Sequence, residues 1–219
     1  MAKGENMLAQ GGMKFFGKMS ASATHEIKNT LAIINESAGL LEDLSLMADK
    51  GHPLSITRIK NISKMVTRQV QRADLVLRKL NQFSHSADQL TDIADLEKTL
   101  CFVLDLASRL VEGHGVIVEV TSPSSPMMVA TNLFYLENII WRAIESACCT
   151  AKGKKQIMIS FGSHLTAPSI WFLIDTVKDD LMEDLFGSKE DQALMAHLDI
   201  SIEKNKNNNS FGLLWPKRF

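Results

Sequence analysis

Two long apolar stripes separated by a single turn signal set the tightest limit on what this chain can fold into. From about Met13 to Leu46, Phe16, Met19, Ala23, Ile27, Leu31, Ile34, Ala38 and Leu41 recur at intervals of three or four residues. From about Ser55 to Phe83, Ile56, Ile59, Ile62, Val66, Val70, Ala73, Leu77 and Leu80 do the same. That spacing marks helices with a narrow apolar seam, the pattern of bundles and coiled coils. Gly51-His52-Pro53 interrupts the periodicity between them. The two helices therefore read as an antiparallel hairpin. One hairpin cannot bury both stripes, whereas two make a four-helix bundle, so a homodimer is expected.

The texture changes beyond the second stripe. Residues 1–90 hold 12 Lys/Arg against 8 Asp/Glu, whereas residues 91–219 hold 12 against 17. The stretch 84–94 reads as a linker. After it, Asp95 to Glu112 reads as a helix, Val116 to Val120 as a strand followed by a Ser/Pro loop, and Leu133 to Thr150 as a second helix. Gln156 to Phe161 and Ile170 to Ile174 read as strands, and Gln192 to His197 as a short helix. Leu198 to Ile202 and Phe211 to Trp215 read as a closing hairpin around the Asn-rich stretch 205–209. This mixture predicts a two-domain α+β chain: the helical hairpin over 13–84 and an α/β sandwich over 95–219.

Composition removes several function classes. The net charge of −1 advertises neither nucleic acid nor a membrane surface as partner. No run of apolar residues is long enough to span a bilayer. Met1 to Gly12 lacks the apolar core of a secretory signal, so the protein is expected to be cytoplasmic. This short lead is also expected to leave no room for an attached sensor domain. Cys101, Cys148 and Cys149 form neither a disulfide ladder nor a metal knuckle. His52, His85, His114, His164 and His197 lack metal-ligand spacing. Phe134, Tyr135 and Trp141 are expected to pack a helix onto the sheet.

His25 stands apart from these. It lies two residues from both Ala23 and Ile27 of the stripe, which turns it away from the seam and toward solvent. Asn29, four residues on, shares its face, and Glu26 adjoins it. An imidazole titrates near neutrality, at about 6.5 when unperturbed, so much of it is nucleophilic at cytosolic pH. It can attack a phosphoryl group in line. Glu26 could fix its tautomer, and Asn29 could hold a water or a phosphoryl oxygen.

The run Phe16-Gly-Lys-Met-Ser-Ala-Ser-Ala-Thr-His25-Glu26-Ile-Lys-Asn29-Thr-Leu31 resembles the H-box of two-component sensor histidine kinases. Arg72-Ala73 and Leu80-Asn-Gln-Phe83-Ser84 resemble that family's closing pattern in the second helix. The resemblance implies a dimerisation and histidine-phosphotransfer domain. His25 would be the phospho-acceptor, Glu26 its acid/base neighbour, and Asn29 the position linked to dephosphorylating the partner. Thr30 stands where proline is common, which should leave the helix straighter.

Residues 95–219 resemble the ATP-binding domain that follows the H-box in those kinases, and Ser210-Phe-Gly-Leu-Leu-Trp-Pro216 resembles its last strand. Its nucleotide ligands are largely missing. Arg142 and Ser146 stand where the family has two asparagines that hold magnesium and phosphates, and arginine offers magnesium no oxygen. Asp175 survives from the Asp-x-Gly-x-Gly box, but Val177 and Asp179 replace its glycines. Residues 180–194 contain only Gly187 in place of a glycine-rich lid.

The expectation is therefore a phosphorelay histidine phosphotransferase. It would pass a phosphoryl group between response-regulator receiver domains through His25, without ATP-dependent autophosphorylation. The chain itself would bind no cofactor, the receiver supplying Mg2+. The seven Lys/Arg of the second helix between Arg58 and Lys79 would complement an acidic receiver. A receiver phosphatase using Asn29, a kinase with a diverged pocket and a non-catalytic dimeric interaction module are the alternatives.

Overall fold

The computed structural model describes residues 2–88, 91–151, 156–164, 167–175 and 186–216. In chain order the elements are α1 (Ala2–Asp49), α2 (Ile56–His85), β1 (Asp92–Asp95), α3 (Leu96–Leu106), α4 (Ser108–Gly113), β2 (Ile117–Thr121) and β3 (Met128–Thr131). There follow α5 (Leu133–Thr150), β4 (Gln156–His164), β5 (Ala167–Ile174), α6 (Lys189–Leu198), β6 (Ser201–Asn205), a short 3-10 turn (Lys206–Asn208) and β7 (Ser210–Leu214). The chain divides into two compact units. One is Met19–Gln82, and the other combines Met1–Lys18 with Phe83–Phe219.

The first unit is the helical hairpin. Gly51 ends α1 in the left-handed region (φ 84°). The His52 N–H reaches the Met47 carbonyl (3.1 Å) and the Gly51 N–H reaches Ala48 (2.9 Å), the bonding pattern of a Schellman cap. On α2 the inward line is Ile59, Ile62, Val66, Gln69, Ala73, Val76 and Leu80, alternating steps of three and four. On α1 it is Met19, Ala23, Ile27, Thr30, Ile34 and Ser37. The apolar stripe predicted from sequence is thus only partly the seam. Leu31 and Leu41 on α1, and Ile56, Val70 and Leu77 on α2, are exposed, and Thr30, Ser37 and Gln69 take inward places. Thr30 and Ser37 can do so because each hydroxyl donates to its own helix, to Ile27 O and Ile33 O at 2.7 Å. Their small side chains also let the helices approach. α1 runs unbroken through Thr30, the uninterrupted course expected where proline is absent.

The second unit is the α/β domain. Its five-stranded sheet has the order β2-β4-β5-β7-β6, with β2 and β4 parallel and the other pairs antiparallel. Alternation along the strands sends Ile157, Ile159, Ile170, Phe172, Ile174, Phe211 and Leu213 inward, each at most 1% exposed. The buried face of α5, with Leu136, Ile139, Ile140 and Ile144, closes the same core. On the outer face Trp171 lies over Gly212, where an added Cβ would come within 2.9 Å of the indole.

Several boundaries differ from those expected. The helix read over Asp95–Glu112 is two, α3 and α4, divided at Ala107. Asp95 caps α3 by accepting from the Glu97 and Lys98 N–H groups. The Ser/Pro loop contains β3, which pairs with β1, a strand formed within the expected linker. The last hairpin starts at Ser201 because α6 runs to Leu198. It ends on Asp199 in the left-handed region (φ 55°), with the Ile200 N–H on Met195 O at 3.1 Å.

Helix α1 begins at Ala2 rather than near Met13 because its first turns pack within the α/β unit. Phe15 stands edge-on to Phe83 (5.2 Å between centroids), Phe16 stacks on Phe83 (5.4 Å), and Phe134 meets Phe15 and Phe83 (5.6 and 5.9 Å). Gly12 permits this approach: a Cβ there would lie 3.0 Å from the Phe134 ring. Phe134 therefore packs among helices rather than onto the sheet, and Tyr135 sits against His197 on α6 (4.8 Å).

A buried carboxyl fastens the end of α2 to α5. Glu137 is 2% exposed, and burial pushes its pKa up to about 8 against the lowering effect of its hydrogen bond with Ser86. The Ser86 hydroxyl lies 2.7 Å from Glu137 Oε2 and 2.8 Å from the Phe83 carbonyl, with one hydrogen to give. A protonated Glu137 resolves the conflict by donating to Ser86 Oγ while Ser86 donates to Phe83. The folded chain then keeps a proton that the unfolded chain releases. Stability should fall as pH rises from about 4.5 to about 8 and level off above, by roughly 5 kcal/mol at most. Denaturant melts of Glu137→Gln, which keeps a donor for Ser86, should show that pH slope removed. An unchanged slope would mean that Glu137 is ionised in the fold.

Candidate functional site

The hairpin places His25 near the middle of α1 with its side chain exposed, and Asn29 is exposed one turn further on. Both lie outside the α1–α2 seam, as their spacing from Ala23 and Ile27 implies. Glu26 is half-buried and accepts a hydrogen bond at Oε1 from Arg72 Nε across the hairpin, at 3.0 Å. The Arg72 side chain is 60% exposed and that of Glu26 21%. Sequence reasoning noted Arg72 as part of a basic face and of the closing pattern of the second helix, but not as a partner of Glu26. The pair joins residues 46 positions apart, and only the register of the hairpin reveals it. Arg58, Lys60, Lys64, Arg68, Arg72 and Arg78 are all exposed on α2.

This arrangement offers an accessible imidazole, a neighbouring carboxylate fixed by a guanidinium, and an amide on the same face. It suits nucleophilic exchange of a phosphoryl group with a docked partner. A groove of about 400 Å3 also opens between the two helices nearer their connecting turn, lined by Leu40, Asp43, Leu44, Met47, Arg58, Asn61 and Ile62. It begins fifteen residues beyond His25 along α1 and is not part of the His25 face.

The α/β unit places Arg142 on α5 beside the first turn of α6. Its Nε donates to Asp191 Oδ1, its Nη2 to Ser188 Oγ at 3.5 Å, and its Nη1 lies 3.8 Å from Glu190 Oε2. Ser188 caps α6, accepting the Asp191 N–H at 3.1 Å. Lys14 pairs with Glu190 at 2.5 Å, and Lys18 pairs with Glu145 while standing 5.3 Å from the Trp141 ring centroid. The α5 face carrying Arg142 is thus closed by carboxylates of α6 and lysines of α1. Ser146 is half-buried, and its carbonyl accepts the Thr150 hydroxyl at 2.5 Å. Asp175 is exposed at the end of β5, its N–H on Gln156 O at 3.2 Å. Val177 and Asp179 lie outside the described residues.

Other chemistries find little support among the described residues. No group of three or more His, Cys, Asp or Glu is arranged to hold a metal ion. The Cys101 thiol is raised by burial and then by Glu97, Asp105 and Asp95, which makes it a poor nucleophile. No helix is long and apolar enough to cross a membrane.

No protein-family model matches the chain, and no curated protein matches it. Among solved structures, the histidine kinase AdeS of Acinetobacter baumannii is similar at 15% identity and a TM-score of 0.45, over 87% of this chain and 96% of that one. The catalytic domain of histidine kinase ThkA, in a nucleotide-free form, is 15% identical with a TM-score of 0.45, over 59% of this chain and 98% of that one. The cytoplasmic segment of histidine kinase QseC is 11% identical with a TM-score of 0.44, over 68% of this chain and 95% of that one.

The Arg142 pair makes a direct prediction about stability. Asp191 is 7% exposed, so Arg142→Ala would leave a buried carboxylate with only Ser188 to stabilise it. Its cost should be about 2–3 kcal/mol in chemical denaturation. A cost within about 0.5 kcal/mol of zero, the size expected of an ordinary surface change, would mean the cluster is solvated.

Proposed function

We propose that the protein is a cytoplasmic, dimeric histidine phosphotransferase of a phosphorelay. It exchanges phosphoryl groups with response-regulator receiver domains through His25 and does not phosphorylate itself from ATP. One contrast carries this assignment. The His25 face keeps every residue type that phosphotransfer needs, while Arg142 occupies the implied magnesium and phosphate position and is engaged by Asp191. A guanidinium cannot ligate magnesium, and the carboxylates of Glu190 and Asp191 would repel nucleotide phosphates.

The chemistry on this chain is compact. A ring nitrogen of His25 forms a P–N bond as the acyl-phosphate P–O bond of the first receiver breaks, the electron pair leaving on that receiver's carboxylate. Transfer to the second receiver reverses these steps. Glu26 holds the proton on the other ring nitrogen, and Asn29 contacts a phosphoryl oxygen. Mg2+ belongs to the receiver's acidic pocket. The exposed cations of α2 favour encounter with an acidic receiver surface. The exposed line of Leu31, Leu41, Ile56, Val70 and Leu77 is the surface a second hairpin would cover.

Label should appear on the wild type from a radiolabelled phospho-receiver but not from labelled ATP, and Mg-ATP should produce no saturable binding signal in calorimetry. His25→Ala should take no label from either donor. Labelling by ATP alone would identify a kinase and overturn the role given to Arg142.

A further inference from the structure

The hairpin register brings one cation to the acid/base neighbour of His25, and only one such contact is needed to define a role for it. We propose that Arg72 is a positioning residue for phosphoryl exchange at His25, acting through Glu26. Arg72 Nε donates to Glu26 Oε1 at 3.0 Å from the opposite helix of the hairpin. The pair is too exposed to matter much for stability. Its consequence is electrostatic and geometric. A glutamate has three side-chain torsions, so on a helix surface its carboxylate samples many positions. The bond from α2 restricts Glu26 Oε1 to one of them and leaves Oε2 able to meet a second donor. The guanidinium charge also offsets that of Glu26. Without it, a bare carboxylate beside His25 would repel the incoming phosphoryl dianion. A guanidinium carries five N–H donors, of which this contact uses one.

This assignment rests on His25 being the phosphoryl acceptor, so the deciding experiment avoids the receiver. Phosphoramidate transfers its phosphoryl group directly: the donor P–N bond breaks, ammonia leaves, and a new P–N bond forms on the imidazole. Its rate of His25 labelling would be followed by site-resolved mass spectrometry in the full chain, with thermal melts to verify folding. Arg72→Ala should slow labelling roughly tenfold, and Arg72→Lys, which keeps the charge, should return it to within about threefold of wild type. In a Glu26→Gln background, which has no charge to offset, Arg72→Ala should change the rate by less than about twofold. Equal losses in both backgrounds would overturn the assignment, because Arg72 would then act independently of Glu26. No loss in either background would overturn it as well. If the phosphoramidate cycle shows the coupling while no phospho-receiver labels the wild type, the assignment of Arg72 stands and the relay function falls.

Discussion

The antiparallel seam between α1 and α2 is the constraint on which the candidate site depends. Its register sets Arg72 opposite Glu26 and leaves His25 and Asn29 on the outer surface. The seam is not made of large apolar residues alone. Thr30, Ser37 and Gln69 take inward places, and the two hydroxyls satisfy themselves on their own helix. Small polar residues of this kind let two helices come close and cost little when locally bonded. Rotating either helix by about one residue would instead turn charged neighbours such as Lys28 or Arg72 toward the seam.

The α/β unit is held by a different kind of interaction. Phe15 and Phe16 of α1 and Phe134 at the start of α5 converge on Phe83 at the end of α2, which is fully buried. Below them Ser86 and Glu137 join the end of α2 to α5 by a hydrogen bond between buried groups. Arg142 and the acidic first turn of α6 complete the same surface. An internal ion pair stands at the α5 position where the family resemblance implies two asparagines. The contrast with the His25 face is one of exposure: Arg142 is held by ion pairs within the chain, whereas His25 and Asn29 are exposed on α1.

Much of this was legible from the residues. Period 3.5 marked the helices of the hairpin, and alternation marked β4, β5 and β7, because one buried face imposes each pattern. Helix α5 was read at its observed limits from its amphipathic face, and the Asn132 side chain proves to cap it. The exposure of His25 followed from its angle to the stripe. What stayed hidden came from longer range. Periodicity does not say which part of a stripe the hairpin itself buries, and Leu31 and Val70, both on the stripes, are exposed in the single chain. The first turns of α1 look polar and glycine-rich, yet Gly12 is there to admit Phe134. Strands β1 and β3 are four residues each and stabilise one another across a long separation. The Arg72–Glu26 and Arg142–Asp191 pairs join residues more than forty positions apart, and only the folded register brings them together.

The account stands or falls on His25 as a covalent carrier between two partners. The most direct measurement is a chase in which one receiver, charged with labelled phosphate, is mixed with the protein and a second, uncharged receiver. Label should pass through an acid-labile, alkali-stable phosphohistidine on the wild type and then reach the second receiver. With His25→Ala neither the intermediate nor the transfer should form. Release of labelled inorganic phosphate by both wild type and His25→Ala, with the second receiver unlabelled, would contradict the account and mark the protein as a receiver phosphatase.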